Sequence, residues 1–419
     1  MNSGDTAWVL ISAALVLFMT PGLALFYGGM VRSKGVLAVM MQSFICIGVV
    51  TVLWAIVAFS LAFGKDAGGG LIGNFGLAGL GNMTHGLPGF VHSQLKVSPL
   101  AVMVFQMMFA VITAALISGG TVDRIRFTSF VVFIVAWLFL VYVPLAHWVF
   151  SPEGWLAQRG VLDFAGGTVV EINSGFSTLA LVLVLGRRRG WPREAMPPHS
   201  VPLSLLGAGI LWFGWFGFNA GSALGANNIA VHAFVNTQLA AAAGMLGWLA
   251  FELGKEKVPT TLGAASGAVA GMVAITPCAG FIGPMPALLV GAAAGVVCAV
   301  AVRMKFKFRY DDSLDVLAVH GMGGIVGMIL LGCFATTAIN PNGANGLFEG
   351  GGFHFFSVEL LAVVVSVAFC FGMSFIIAKV IDLTMGLRVA PDMEFEGLDL
   401  RQHAETAYSS GSTAGHHGD

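Results

Sequence analysis

DFAGGTVVEINSGFSTLALVLVL, residues 163–185, is long and apolar enough to cross a bilayer, yet a glutamate, Glu171, sits eight residues into it. A spanning helix needs about 20 predominantly apolar residues, because lipid offers nothing for its backbone polar groups to bond. An acid at the centre of such a helix costs roughly 2.5–3.5 kcal/mol on insertion scales and therefore faces a protein interior or a pathway. Outward from this stretch, ten further segments read as spans: 7–31, 36–63, 98–119, 127–150, 200–219, 231–252, 261–279, 285–302, 315–334 and 356–384. The composition agrees. Of 419 residues 57% are apolar and 10% charged, against about 25% charged in soluble proteins, and the mean hydropathy is +0.87. This excludes a soluble globular enzyme, a disordered chain and a nucleic-acid binder that works by basic charge. The reading is an all-α integral membrane protein of eleven transmembrane helices, with one membrane domain over 1–385 and a cytoplasmic tail over 386–419.

Lys and Arg stay on the cytoplasmic side of membranes. Here Arg32 and Lys34, Arg124 and Arg126, Arg187, Arg188, Arg189 and Arg193, Lys255 and Lys257, and Arg303, Lys305, Lys307 and Arg309 fall in alternate loops. Lys379, Arg388 and Arg401 lie at or beyond the last span, which leaves Lys65, Lys96 and Arg159 for the other side. The amino terminus is thus expected outside and the carboxyl terminus inside, which requires an odd number of spans. The start lacks a cationic n-region and a clear cleavage site, so no removable signal peptide is expected. Cys46, Cys278, Cys298, Cys333 and Cys370 stand singly in apolar sequence and signal neither disulfides nor a metal site. Glycines at four-residue spacing (263, 267, 271; 291, 295; 323, 327) read as close helix contacts.

A second embedded group, His320, lies about five residues into 315–334. The fifth span runs inward and the tenth outward, as an inverted repeat of spans 1–5 and 6–10 requires, with its site at the repeat interface. The plainer reading makes His320 a neutral core histidine and Glu171 a protonated carboxyl, each bonded to a backbone carbonyl. Their small or polar neighbours, Asn173, Ser174 and Gly175 and then Gly321, Gly323 and Gly324, favour a pathway. Asp163 begins the fifth span, where a carboxylate caps a helix, and a functional role stands level with that one. His147, Glu252, Glu359 and Asp382 fall near span ends and read as interfacial or packing groups. Most of the 33 Phe and 9 Trp are core or lipid belt. Phe109 in FQMMF, the AHWVF stretch ending at Phe150, and LWFGWFGFNAGSAL with Trp215, Phe218 and Ser222 are expected near the outer mouth instead. Aromatic faces attract a cation and a hydroxyl accepts its hydrogen bond. Such a vestibule over a narrow apolar pore would accept a small cation but not pass it hydrated.

PGLALFYGGMVR (21–32), FQMMFA (105–110), DFAGGTVVEINSG (163–175), LWFGWFGFNAGSAL (211–224), ASGAVAG (265–271), ITPCAGF (275–281), LDVLAVHGMGGIVG (314–327), GLRV (386–389) and GLDLRQHAETAY (397–408) together resemble the ammonium transporter family (Amt/Mep/Rh). The chain looks like a prokaryotic Amt-type member over almost its whole length. The resemblance implies eleven helices with an inverted five-helix repeat, a homotrimer with one pore per subunit in the cell membrane, and ammonium uptake, with methylammonium as an analogue. It implies that Ser222 recruits ammonium, that Phe109 and Phe218 form the gate beneath, and that Trp215 lies beside the pore. Asp163 would support the site and the deprotonation of ammonium, His320 would be the second pore histidine, Gln106 and Thr276 would lie near the gate and pore wall, and Asp315 would be a structural acid. In the tail, Gly397, Asp399 and Tyr408 match a segment that meets the PII signalling protein.

Two positions depart from the family pattern. Glu171 stands where the first pore histidine belongs, as in some fungal branches, and Phe150 stands where a vestibule tryptophan is expected. Trp148, two residues earlier, would compensate for the lost indole if the alignment were shifted. A Glu–His pair can share one proton and titrates as a unit. Two rival readings stay open: an ammonium sensor signalling through its tail or a partner, and an Rh-like channel for neutral ammonia or carbon dioxide. No cofactor, nucleic acid or catalytic constellation is expected, and SSGSTAGHHGD (409–419) reads as a disordered end.

Overall fold

The computed structural model describes residues 2–83, 86–90 and 96–408; the end read as disordered, 409–419, lies outside them. The described residues form helices and turns. Among the described residues ten helices are long and apolar enough to cross a membrane: α1 (Ser3–Met30), α2 (Ser33–Phe63), α3 (Pro99–Thr121), α4 (Phe127–Phe150), α5 (Gly167–Leu185), α6 (Val201–Gly221), α7 (Asn228–Lys255), α9 (Pro284–Phe308), α10 (Leu317–Phe334) and α11 (Gly352–Thr384). Between α7 and α9 lies a shorter apolar helix, α8 (Thr261–Ile275). Two short helices follow α11 in the tail: α12 (Pro391–Glu396) and α13 (Leu398–His403).

Local chemistry sets the starts. Ser98, Asn227 and Thr260 accept hydrogen bonds from the backbone N–H groups of Leu100, Ala230 and Gly263, satisfying donors that a helix start leaves free. Pro99, Pro202 and Pro284 occupy first-turn positions, where proline has no N–H to waste. Expected and observed ends differ where hydropathy is blind to backbone chemistry. α8 stops at Ile275, not 279, because Pro277 lacks a donor and its ring excludes helix before it; the turn through 276–282 stays buried. α9 continues past 302 to Phe308, since Lys is a good helix former and Lys305 and Lys307 sit favourably at the negative dipole end.

Small residues bring the helices together. A side chain on Gly207 or Gly214 of α6 would collide with the backbone of Phe26 or with Met19 on α1, and one on Gly267, Gly271, Gly291 or Gly295 would strike α7. The glycine spacing seen in the sequence is therefore helix contact. Leu10, Phe44, Leu246, Leu289 and Val364 are among the large apolar side chains left exposed, a surface that suits lipid. One end of the bundle gathers Arg32, Arg124, Arg188, Lys305 and Arg388 with the tail. At the other end Asn2 N–H donates to the Lys96 carbonyl and Trp155 N–H to that of Gly70.

Candidate functional site

α5 and α10 cross in opposite directions at the centre of the bundle, and each opens with a π-helical segment, Gly167–Ile172 and Leu317–Gly321. These wider turns carry Glu171 and His320. The crossing is possible because Gly175 and Gly321 meet: a Cβ on Gly175 would lie 2.4 Å from the Gly321 backbone, and one on Gly324 2.9 Å from the Glu171 side chain. At that distance His320 Nδ1 stands 2.7 Å from Glu171 Oε2, with both residues buried. The separation is that of a short hydrogen bond, with one group donating and the other accepting. Glu171 Oε1 is buried without a partner among the described residues. The pair borders a narrow cavity of about 10 Å³, lined otherwise by apolar side chains that include Leu23, Ile112, Leu211 and Phe218. It has room for about one water-sized molecule. His320 also faces a wider cavity of about 170 Å³ that continues past Tyr27, Glu252 and Asp315.

On the other side of the narrow cavity, Phe109 of α3 and Phe218 of α6 stack with ring centroids 4.2 Å apart and planes 26° from parallel, both fully buried. Trp215 packs on Phe218 and donates its indole N–H to Thr276 Oγ1 at 3.0 Å. Ser222 lies one turn beyond Phe218 and donates to its carbonyl at 2.9 Å, which leaves the hydroxyl lone pairs able to accept. Gln106, on α3, keeps its carbonyl oxygen buried and without a partner among the described residues. Phe150 ends α4 close to Gly166, at the start of α5. Trp148 is elsewhere: its indole donates to the Leu71 carbonyl at 2.8 Å and its ring packs on Phe369 of α11 and on Trp155. Two residues along a helix is a rotation of about 200°, so Trp148 does not stand in for Phe150.

Residues 7–408 match the model of the Ammonium Transporter Family. The chain belongs to the ammonium transporter family. It is 47% identical to the ammonium transporter of Mycobacterium tuberculosis, over 99% of this chain and 92% of the relative. It is 46% identical to that of Bacillus subtilis, over 97% and 99%. Among solved structures it resembles Mep2 of Saccharomyces cerevisiae, with a TM-score of 0.87, 33% identity and coverage of 94% of this chain and 88% of that one. A sensor Amt protein has the same TM-score at 27% identity, covering 95% and 98%.

Asp163 caps this family member's fifth helix: it accepts from the N–H groups of Gly166, Gly167 and Thr168 and from the Thr168 hydroxyl at 2.6–2.8 Å. Its counterpart in the second half is Asp312, which the sequence reading passed over. Asp312 accepts from Leu317 N–H at 2.8 Å and so caps α10 as Asp163 caps α5. A signal was present, since each acid precedes the buried ionisable residue of its helix by eight positions, 163 to 171 and 312 to 320. Burial, with the nearby Asp315 charge adding to it, pushes the Asp312 carboxyl up to about 6. Asp315 itself pairs with Lys305 at 2.6 Å.

The groups expected at span ends are all committed to structural bonds. His147 bonds the Ala62 carbonyl and Asp66, Glu252 accepts from Trp248 and Thr260, Glu359 accepts from Leu162 N–H, and Asp382 accepts from Leu387 N–H. The tail docks across the cationic end. Asp399 accepts from Leu37 and Ala38 N–H, at the start of α2, and Tyr408 bonds His199 at 2.7 Å. Gly397 holds a φ of +113° against Lys34, where a side chain would both strain the backbone and collide.

Proposed function

We propose that this protein carries ammonium across the cell membrane by splitting it into ammonia and a proton. Ammonium is captured among Phe109, Phe150 and Ser222, and gives up its proton near the Phe109–Phe218 gate, where the capped Asp163 supports the site as a fixed negative charge. Ammonia then passes the apolar cavity. Burying the bare cation would cost many kcal/mol, and the split avoids that barrier. The proton moves by way of Glu171 and His320, and ammonium re-forms in the wider cavity beyond. The observation that carries this reading is a single-molecule apolar cavity bordered by one hydrogen-bonded acid–imidazole pair. The N–H bond broken at the gate re-forms when ammonia and the relayed proton rejoin, so the substrate leaves as the ammonium that entered. The amino terminus lies outside and the tail inside, the protein works as a homotrimer, and the docked tail with Gly397, Asp399 and Tyr408 is where a PII protein regulates it.

Solid-supported membrane electrophysiology on purified protein, with ammonium and methylammonium jumps at several pH values, tests this. Glu171→Gln should abolish or strongly reduce the current, whereas Glu171→His should keep transport with a shifted pH profile. Unchanged current in the Gln variant at equal membrane expression would sink the proton relay. Wild-type protein that binds ammonium without passing current would turn the reading toward a sensor.

A further inference from the structure

Glu359 has no part in the pore. It lies near the outer end of α11, fully buried, with Oε1 accepting from Leu162 N–H at 2.8 Å and Oε2 unpartnered among the described residues. A carboxyl so placed in a spanning helix is costly, so the donor it serves is informative. Leu162 immediately precedes Asp163, in the irregular segment that leads into α5. That segment has no helix partner for its donors, and each N–H there that is shielded from water must be met from outside. Phe164 N–H goes to the Pro277 carbonyl and Leu162 N–H goes to Glu359. The two bonds bracket Asp163, whose carboxylate in turn organises residues 166–168 and the π-helical turn bearing Glu171.

The same helix touches α5 at two further levels. Midway, the Ser374 hydroxyl donates to Ser177 Oγ at 2.8 Å; at the inner end, Arg388, just past α11, donates to the Leu185 carbonyl at 3.2 Å. We propose that α11 is a splint along α5 and that Glu359 is a positioning residue for the Glu171–His320 pair, acting through Leu162 and Asp163. The inference rests on the transport reading only for its functional arm.

Hydrogen exchange of the backbone amides of 162–168 in detergent or nanodiscs, run beside ammonium-evoked current, tests it on Glu359→Gln and Glu359→Leu. Glu359→Met, unbranched and flexible with only a weakly accepting thioether, accompanies the Leu variant in case the branched side chain disturbs folding. Gln keeps the acceptor and should hold both readouts within about twofold of wild type. Leu and Met orphan a buried donor, and should speed exchange across 162–168 by about tenfold with a fall in current of similar size. Wild-type protection of these amides in Leu and Met would overturn the splint. Loss in Gln equal to that in Leu would also overturn it, by assigning the carboxyl a proton-carrying role. If wild-type protein passes no ammonium current, the transport reading fails while the exchange comparison still decides the role of Glu359.

Discussion

Glu171 and His320 were legible because an ionisable side chain inside a 20-residue apolar run has few physical excuses. Which nitrogen meets which oxygen was not legible, since it depends on how two helices 149 residues apart in sequence rotate about each other. Trp148 and Phe150 make the same point. Both are aromatic and they stand two residues apart in sequence, yet helical rotation sends Trp148 to Leu71 and Phe369 and leaves Phe150 near Gly166. Because Phe150 offers a weaker cation–π face than an indole, Phe150→Trp should lower the half-saturating ammonium concentration by about two- to fivefold, corresponding to about 0.5–1 kcal/mol. Concentration series of ammonium-evoked current would check this, and an unchanged or raised midpoint would remove Phe150 from the capture site.

At the scale of elements, spans are readable because lipid demands length and apolarity, whereas their ends depend on backbone chemistry that hydropathy ignores. Pro277 truncates α8 inside a still-apolar stretch, and the basic end of α9 stays helical beyond it. The crossing of α5 with α10 rests on Gly175 against Gly321, where a side chain on Gly175 would strike the Gly321 backbone. Gly175→Ala should therefore cost about 1–3 kcal/mol through overpacking and pull Glu171 from His320. Thermal unfolding in detergent, with transport measured on the same preparation, should show both losses together. A variant as stable and as active as wild type would mean that the helices separate without disturbing the pair.

Across the whole molecule, the cationic end is tied to the tail by a buried network whose centre is Asp311. Its carboxylate takes two hydrogen bonds from the Arg188 guanidinium, at 2.8 and 2.9 Å, and one from Arg188 N–H, with Arg124 3.9 Å away. Burial alone would raise this carboxyl, but the Arg188 hydrogen bonds and the two guanidinium charges outweigh it and hold it below the usual carboxylate range. An acid with a depressed folded pKa stabilises the fold above its unfolded value, about 3.9, and loses that contribution as pH falls through the folded value. The unfolding temperature of wild-type protein should therefore drop as pH is lowered below about 4. Asp311→Asn should be less stable at neutral pH by about 3–5 kcal/mol, as when a buried pair is broken, and should show less of that acid dependence. An equal slope in both proteins would place the acid-sensitive group elsewhere.

Sequence by itself determined the membrane class, the run of apolar segments, the asymmetry of Lys and Arg, and the embedded ionisable residues Glu171 and His320, because each follows from the cost of moving charge or bare backbone into lipid. Tertiary structure alone decided what those residues meet. The 2.7 Å Glu171–His320 pair, the stacked Phe109 and Phe218 rings and the clasp of Glu359 on Leu162 all join groups far apart in sequence, and close packing of glycine-lined faces sets their distances.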